Sequence, residues 1–302
     1  EIRPRDWSSD VCSSDLGTAP GLVYDLGDRI AIALPGPPRE LEPMFHNSLV
    51  PYLYQRFDLH QSYLTSKMRF CCLGESNIDS VVREKVEIVE GIRISSISSV
   101  GTVDLTLSLP DNGDSNRLRL QKYVDSIRES IGEYIYTYED ESLPEVVGNL
   151  LRQRGETLAL AESCTGGLLG SQITSVPGSS DFFWGGVIAY NNSVKELLLC
   201  VDHTILEEKG AVSRETACLM AEGIRSTMKS TWGIGITGIA GPGGGTEEKP
   251  VGTVWIAVAK NPEAIYPVSL KLFGSREAVR QRSCVYALDQ IRRLLLQLPV
   301  HL

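Results

Sequence analysis

The sequence has no long apolar run. Nothing in it approaches the ~20 consecutive apolar residues of a transmembrane helix, which excludes a helical membrane span. It has no CxxC pair: its seven cysteines are odd in number and scattered, and its four histidines lie far apart. That spacing excludes a disulfide framework and a zinc site, and it implies the reduced thiols of a cytoplasmic protein. Basic charge is scarce, with 29 Lys and Arg against 38 Asp and Glu, a formal net charge of −9 and a pI near 5.1. A protein that grips the phosphate backbone needs a basic face, so no nucleic-acid partner is expected. There is no internal repeat, and neither G-x-G-x-x-G nor G-x-x-x-x-G-K-[ST] occurs, so no dinucleotide or NTP site is implied. An initiator Met is also missing; the chain begins at Glu1.

What is present is ordinary globular composition, 42% hydrophobic and 22% charged, which excludes disorder and fibre. At about 150 residues per domain, 302 residues suggest roughly two domains. Residues 1–16, EIRPRDWSSDVCSSDL, have no helical or strand period and no apolar core of a signal peptide. They resemble a translated sequencing adaptor, so a non-native, disordered scar is expected, on a chain whose natural beginning is missing. Residues 17–57 read as two short strands, Leu22–Tyr24 and Ile30–Leu34, joined at Gly27-Asp28. After Pro35-Gly36-Pro37-Pro38 a helix is expected over Arg39–Leu53. These elements are too few to bury a core, so they read as the remnant of an α/β domain.

Residues 63–142 have a β-α-β-β-α order, which suits a small α+β unit. Their nine Lys and Arg against fourteen Asp and Glu speak against nucleic-acid binding, and a spacer or dimerisation role is expected. From residue 143 to 302 strands alternate with helices: Thr157–Ala161, Leu168–Ser175, Val187–Tyr190, a helix from Asn192, a helix from Ser213, and a last helix Ser275–Leu296. This alternation predicts a three-layer α/β sandwich with a mixed sheet.

The chemistry-bearing motifs lie in that last unit. Glu162-Ser163-Cys164-Thr165-Gly166-Gly167 falls where a buried strand gives way to a helix, the usual position of α/β ligand sites. Ser163 and Cys164 are both possible nucleophiles there, and the N–H groups of the turn could meet an anion or oxyanion. The plain alternative is a glycine-rich turn with a Ser cap. Tyr190-Asn191-Asn192-Ser193-Val194-Lys195 puts a lysine in the first turn of a helix, where a cation is unfavourable. Such a lysine is either solvated or held neutral as a general base. Thr237-Gly238-Ile239-Ala240-Gly241-Pro242-Gly243-Gly244-Gly245 follows a strand and is either a nest for an anion or a flexible loop. Gly274-Ser275-Arg276 and Arg280 open a helix and could clamp a phosphate, or merely line a solvated face.

In this order, AESCTGG, PGSS, AYNNSVK, GAVS, TGIAGPGGGTEEKPVGTVW and FGSREAVR resemble the C-terminal domain of the CinA (competence/damage-inducible protein A) family. The match runs over residues 143–297. GTAPG and LPGPPREL look like the end of that family's molybdopterin-binding-like first domain, and residues 63–142 like its KH-like middle segment. The resemblance implies hydrolysis of the carboxamide of nicotinamide mononucleotide to nicotinate mononucleotide and ammonia. It makes Ser163 the nucleophile, Lys195 its base, Tyr190 an assisting hydroxyl and Cys164 a wall residue. Cys164, Thr165, Gly166, Gly167, Thr237, Gly238, Arg276 and Arg280 become expected substrate contacts. No metal or other cofactor is implied, and a homo-oligomer is expected. Two other readings stay open: a non-catalytic nucleotide-binding regulator of competence or DNA repair, and the ADP-ribose pyrophosphatase activity associated with the family's first domain. The metal and phosphate motif of that domain precedes GTAPG and is absent from this sequence.

Overall fold

The computed structural model describes residues 9–12, 20–27, 29–57 and 62–301. The chain divides into two compact units, Glu1–Ser62 and Tyr63–Leu302. Among the described residues no helix is long and apolar enough to cross a membrane.

In the first unit β1 (Ser9–Cys12), β2 (Gly21–Asp25) and β3 (Ile30–Ala33) form an antiparallel meander. Ser9–Cys12 belongs to the stretch expected to be disordered, and the rest of residues 1–16 lies outside the described residues. Those four residues form a strand because β2 offers an unpaired backbone edge, which selects no side-chain period. The expected single helix is broken into α1 (Pro38–Met44), a π-helical turn over Phe45–Leu49, and α2 (Val50–Phe57). Pro43 and Pro51 each lack the N–H that a continuous helix would donate. Arg56 ties α2 back to the hairpin, its Nε donating to Asp25 Oδ2 at 2.6 Å.

The second unit opens with β4 (Tyr63–Cys71), α3 (Glu75–Lys85), β5 (Arg93–Ser99), β6 (Thr102–Pro110), α4 (Asp114–Ile131) and β7 (Ile135–Thr137). The strands make an antiparallel sheet in the order β5-β6-β4-β7. Strand β6 alternates, burying Val103, Leu105, Leu107 and Leu109 against Ile78 and Val82 of α3 and Tyr123, Val124 and Ile127 of α4. The three-residue β7 is too short to have left a periodic signal in the sequence.

The remaining elements are α5 (Leu143–Arg154), β8 (Leu158–Glu162), α6 (Leu168–Thr174), β9 (Phe183–Ile188), α7 (Asn192–Leu199), α8 (His203–Glu208), α9 (Arg214–Met228), β10 (Trp232–Gly238), β11 (Thr253–Asn261), β12 (Ala264–Lys271) and α10 (Arg276–Leu296). Helix α5 starts with a capping box between Ser142 and Glu145 and ends at Gly155 in the left-handed conformation. The sheet order is β12-β11-β10-β8-β9, with β10, β8 and β9 parallel and β11 and β12 antiparallel, so the expected mixed sheet is present. Leu151, Leu169, Ile173, Val279 and Ile291 of α5, α6 and α10 cover one face through Leu160, Ile234 and Ile236. Leu199, Met220 and Ile224 of α7 and α9 cover the other over Ala159 and Ala161. Helix α9 lies close to β10: a Cβ at Gly235 would stand 2.5 Å from the Ala217 carbonyl oxygen. The result is a three-layer α/β sandwich, and Cys71 and Tyr136 of the small sheet enter its core.

Candidate functional site

The strand order makes the site. The chain leaves β8, passes through α6 on one face and returns to β9 on one side of β8. It then crosses the opposite face through α7, α8 and α9 to reach β10 on the other side of β8. The carboxyl end of β8 is therefore a topological switch point, where loops diverge and leave a crevice. Ser163 is the first residue beyond β8 and its N–H still bonds the Ile236 carbonyl at 2.9 Å.

A cavity of ≈ 180 Å³ opens at this point. Of the expected residues it is lined by Ser163, Cys164, Tyr190, Lys195, Thr237, Gly238 and Arg276. Asn192, Ala211, Val212 and Ala240 complete it; they fall within the quoted AYNNSVK, GAVS and TGIAGPGGG stretches, but the sequence assigned none of them a role. Thr165, Gly166, Gly167 and Arg280 do not line it. Thr165 is fully buried behind the turn, with its Oγ1 unpartnered. Gly167 has φ +91°, and a Cβ there would press on Ile188 Cδ1 at 3.1 Å.

The N-terminus of α6 is not a free anion site. The buried carboxylate of Glu162 accepts from the N–H groups of Gly167 (3.0 Å), Leu169 (3.2 Å) and Gly170 (2.8 Å). The Gly166 N–H is spent on the Ser163 carbonyl at 3.1 Å. Within the turn, the N–H groups of Cys164 and Thr165 donate to no backbone carbonyl among the described residues, and both face the Cys164 thiol, which lines the cavity. Glu162 opens the motif, so the residue that supplies this cap was in view in the sequence, although its role was not.

Lys195 lies in the first turn of α7, which Asn191 caps through the Ser193 N–H at 3.0 Å. The residue is 1% exposed, and among the described residues no carboxylate pairs with it. Its Nζ donates to the carbonyls of Ala189 (2.8 Å) and Tyr190 (3.4 Å). Burial disfavours the charged form and pushes its pKa below the ordinary lysine value. A neutral amine carries two N–H bonds and one lone pair; two carbonyl acceptors occupy the hydrogens and leave the lone pair free for a proton. Among the described residues no hydrogen bond joins Ser163 Oγ to Lys195 Nζ, and such contacts in unliganded sites commonly tighten or pass through one water on binding.

Tyr190 is 62% exposed at the mouth, where its hydroxyl accepts from Arg276 Nη2 at 3.1 Å. Arg276 also donates to the Gly241 carbonyl at 2.7 Å, which anchors the glycine loop beside the cavity. Thr237 Oγ1 is turned to the Ala211 carbonyl at 2.6 Å. Arg280, read from sequence as a phosphate clamp, donates instead from Nε (3.2 Å) and Nη2 (2.8 Å) to the Thr165 carbonyl, because it lies one helical turn along α10 from Arg276, behind the Ser163–Gly167 turn, while Arg276 alone reaches the cavity.

Burial pushes the Cys164 thiol up to about 12, so it remains protonated at neutral pH. Iodoacetamide at pH 7 should leave Cys164 unmodified in the folded protein, as read by peptide mass mapping. Cys164→Ala should retain activity far better than the about 10²-fold or greater loss that follows removal of a proton-transfer group. Rapid alkylation with parallel inactivation would make the thiol the nucleophile.

One group of potential metal ligands exists among the described residues. Donor atoms of Cys71, Cys72 and Asp289 lie within 4.8 Å of one another. They do not form a vacant ligand set, because Asp289 is already saturated. Its Oδ1 takes Arg292 Nε (2.7 Å) and Cys71 Sγ (3.2 Å), and its Oδ2 meets Arg293 Nε and His301 Nε2, each at 2.7 Å.

Sequence comparison agrees with this architecture. The sequence model of the CinA C-terminal domain matches residues 140–295. A CinA-like protein of Kosmotoga olearia is 42% identical over 290 residues, covering 95% of this chain and 69% of the relative. A CinA-like protein of Dictyoglomus thermophilum is 40% identical over 293 residues, covering 96% and 70%. The crystal structure of a competence-damaged protein (CinA) superfamily protein from Klebsiella pneumoniae aligns with a TM-score of 0.50 at 31% identity, over 51% of this chain and 96% of that one. The chain therefore belongs to the CinA family, and its α5–α10 sandwich is the family's C-terminal domain.

Proposed function

We propose that this protein hydrolyses the carboxamide of nicotinamide mononucleotide, releasing ammonia and nicotinate mononucleotide. The observation that carries the reading is the pairing, in one cavity, of Ser163 with a buried lysine that has no counter-ion. Neutral Lys195 takes the Ser163 Oγ proton as the oxygen attacks the amide carbon, directly or through one water. The tetrahedral oxyanion is met by the N–H groups of Cys164 and Thr165. The lysine then gives the proton to the departing nitrogen, and ammonia leaves an acyl-serine. Water, deprotonated by the same lysine, cleaves that ester and frees the carboxylate. Tyr190 and Arg276 stand at the mouth, where the ribose phosphate would project, and a cavity of ≈ 180 Å³ suits the pyridine carboxamide better than a whole dinucleotide.

The test is product analysis. Ammonia and nicotinate mononucleotide should appear in equal amounts from nicotinamide mononucleotide, with no divalent metal added. Nucleotide binding without turnover would support a regulatory role instead. Metal-dependent release of AMP from ADP-ribose would favour the pyrophosphatase reading.

A further inference from the structure

We infer that Glu162 and Arg280 are positioning residues that brace the Ser163–Gly167 turn at its exit and at its middle, fixing the nucleophile and the Cys164 and Thr165 N–H groups beside it. The inference rests on the amidase reading above for its kinetic consequence, but its structural content stands on contacts alone.

The turn is held by two charged groups that bond different parts of it. At its exit, the buried Glu162 carboxylate gathers the N–H groups of Gly167, Leu169 and Gly170. At its middle, Arg280 places two N–H groups on the Thr165 carbonyl, reaching from a helix 115 residues away in the chain. Arg280 is itself steadied by Glu277, whose Oε2 accepts from Nη1 at 3.0 Å. Charge-assisted hydrogen bonds of this kind are shorter and stronger than neutral ones and fix orientation.

The turn does not hold this shape by its own preferences. Gly166 and Gly167 both have positive φ, and Thr165 is fully buried with its hydroxyl unpartnered. An unsatisfied buried hydroxyl is unfavourable, so contacts elsewhere must over-determine the conformation. Glu162 and Arg280 are those contacts. Because Arg280 fixes the plane of the Thr165–Gly166 peptide and Glu162 fixes the Gly167 N–H, the Cys164 and Thr165 N–H groups between β8 and Arg280 have little freedom to turn away. A displacement of about 1 Å at such a site is enough to cost on the order of 10²-fold in rate.

The experiment uses the full chain and two variants, Glu162→Gln and Arg280→Met, with Arg280→Lys as the conservative rescue. Amide hydrogen exchange of the peptide spanning residues 160–172 should speed up in both, while peptides from β4, β6 and α9 keep wild-type protection. With nicotinamide mononucleotide, kcat should fall about 10- to 10²-fold with KM little changed, and Arg280→Lys should recover part of it. Nicotinamide riboside, which lacks the phosphate, should show the same fold-loss. Unchanged exchange over residues 160–172 in Arg280→Met would overturn the brace. So would a loss seen only in KM and only with the phosphorylated substrate, since that would make Arg280 a phosphate clamp. If wild type turns over neither substrate but exchange responds as stated, the amidase reading fails and the brace stands.

Discussion

Lys195→Met should lower kcat for ammonia release by about 10²- to 10⁴-fold, the usual contribution of a positioned proton-transfer group. Methionine nearly fills the volume of the lysine stem, so a structural explanation of the loss is testable: thermal stability should not fall. Removing an amine that is buried without a counter-ion relieves a desolvation penalty and leaves only the Ala189 and Tyr190 carbonyls short of a donor. The pH profile gives the sign. Because only the neutral amine accepts a proton, kcat/KM of the wild type should rise with pH through the lysine's lowered pKa. In Lys195→Met that rising limb should vanish. A variant within about tenfold of wild type at every pH would remove Lys195 from the chemistry.

Asp289→Ala should produce the largest loss of stability of any single change considered, about 3–5 kcal/mol by urea unfolding. Asp289 is fully buried at the C-terminal half of α10 and pairs with Arg292 and Arg293, themselves almost fully buried. Removing the carboxylate leaves buried Arg292 with no carboxylate partner and Arg293 with only the partly exposed Glu133 at 3.3 Å. Arg292 also donates to the carbonyls of Glu133 and Ile135, and Cys71 donates to Asp289, so the cluster joins α10 to β4 and β7. Burial works against the Asp289 charge, but His301, Arg292 and Arg293 outweigh it and hold the carboxyl well below the usual carboxylate range. The stabilisation is therefore complete above the unfolded-state value near pH 4 and is lost as pH falls below it toward the folded-state value. Asp289→Ala should flatten that acid limb. A change below about 1 kcal/mol would mean that water reaches the arginines and the hub is dispensable.

The sequence made much of the site legible for a simple reason: its strongest signals are local. A strand running into Glu162-Ser163-Cys164-Thr165-Gly166-Gly167, and a lysine where a helix start disfavours one, both declare themselves within a few residues. Arg280 could not be read this way. At a helix start near glycine it looked like an anion clamp, and only the fold sets it against a carbonyl 115 residues earlier. The hub at Asp289 was hidden for the same reason, since Cys71 lies 218 residues away. Strand β9 begins at Phe183, not at Val187, because parallel pairing with β8 overrides the poor strand preference of Gly185 and Gly186. Helix α8 is only six residues long and leaves no periodic signal, although its start is marked by a cap, the Asp202 carboxylate accepting from the Thr204 N–H at 2.8 Å. Side chains from five separate chain segments close the cavity, so the small apolar Ala211, Val212 and Ala240, though they fall within quoted motifs, carried no chemical signal of their own.

The most direct test of the central claim is the rate of ammonia release from nicotinamide mononucleotide by wild type and Ser163→Ala, measured side by side at saturating substrate. Ser163 is small and nearly buried, so the substitution should leave folding intact. Loss of the nucleophile should cut kcat by at least about 10³-fold, with substrate binding retained. A Ser163→Ala protein that turns over as fast as wild type would contradict the account.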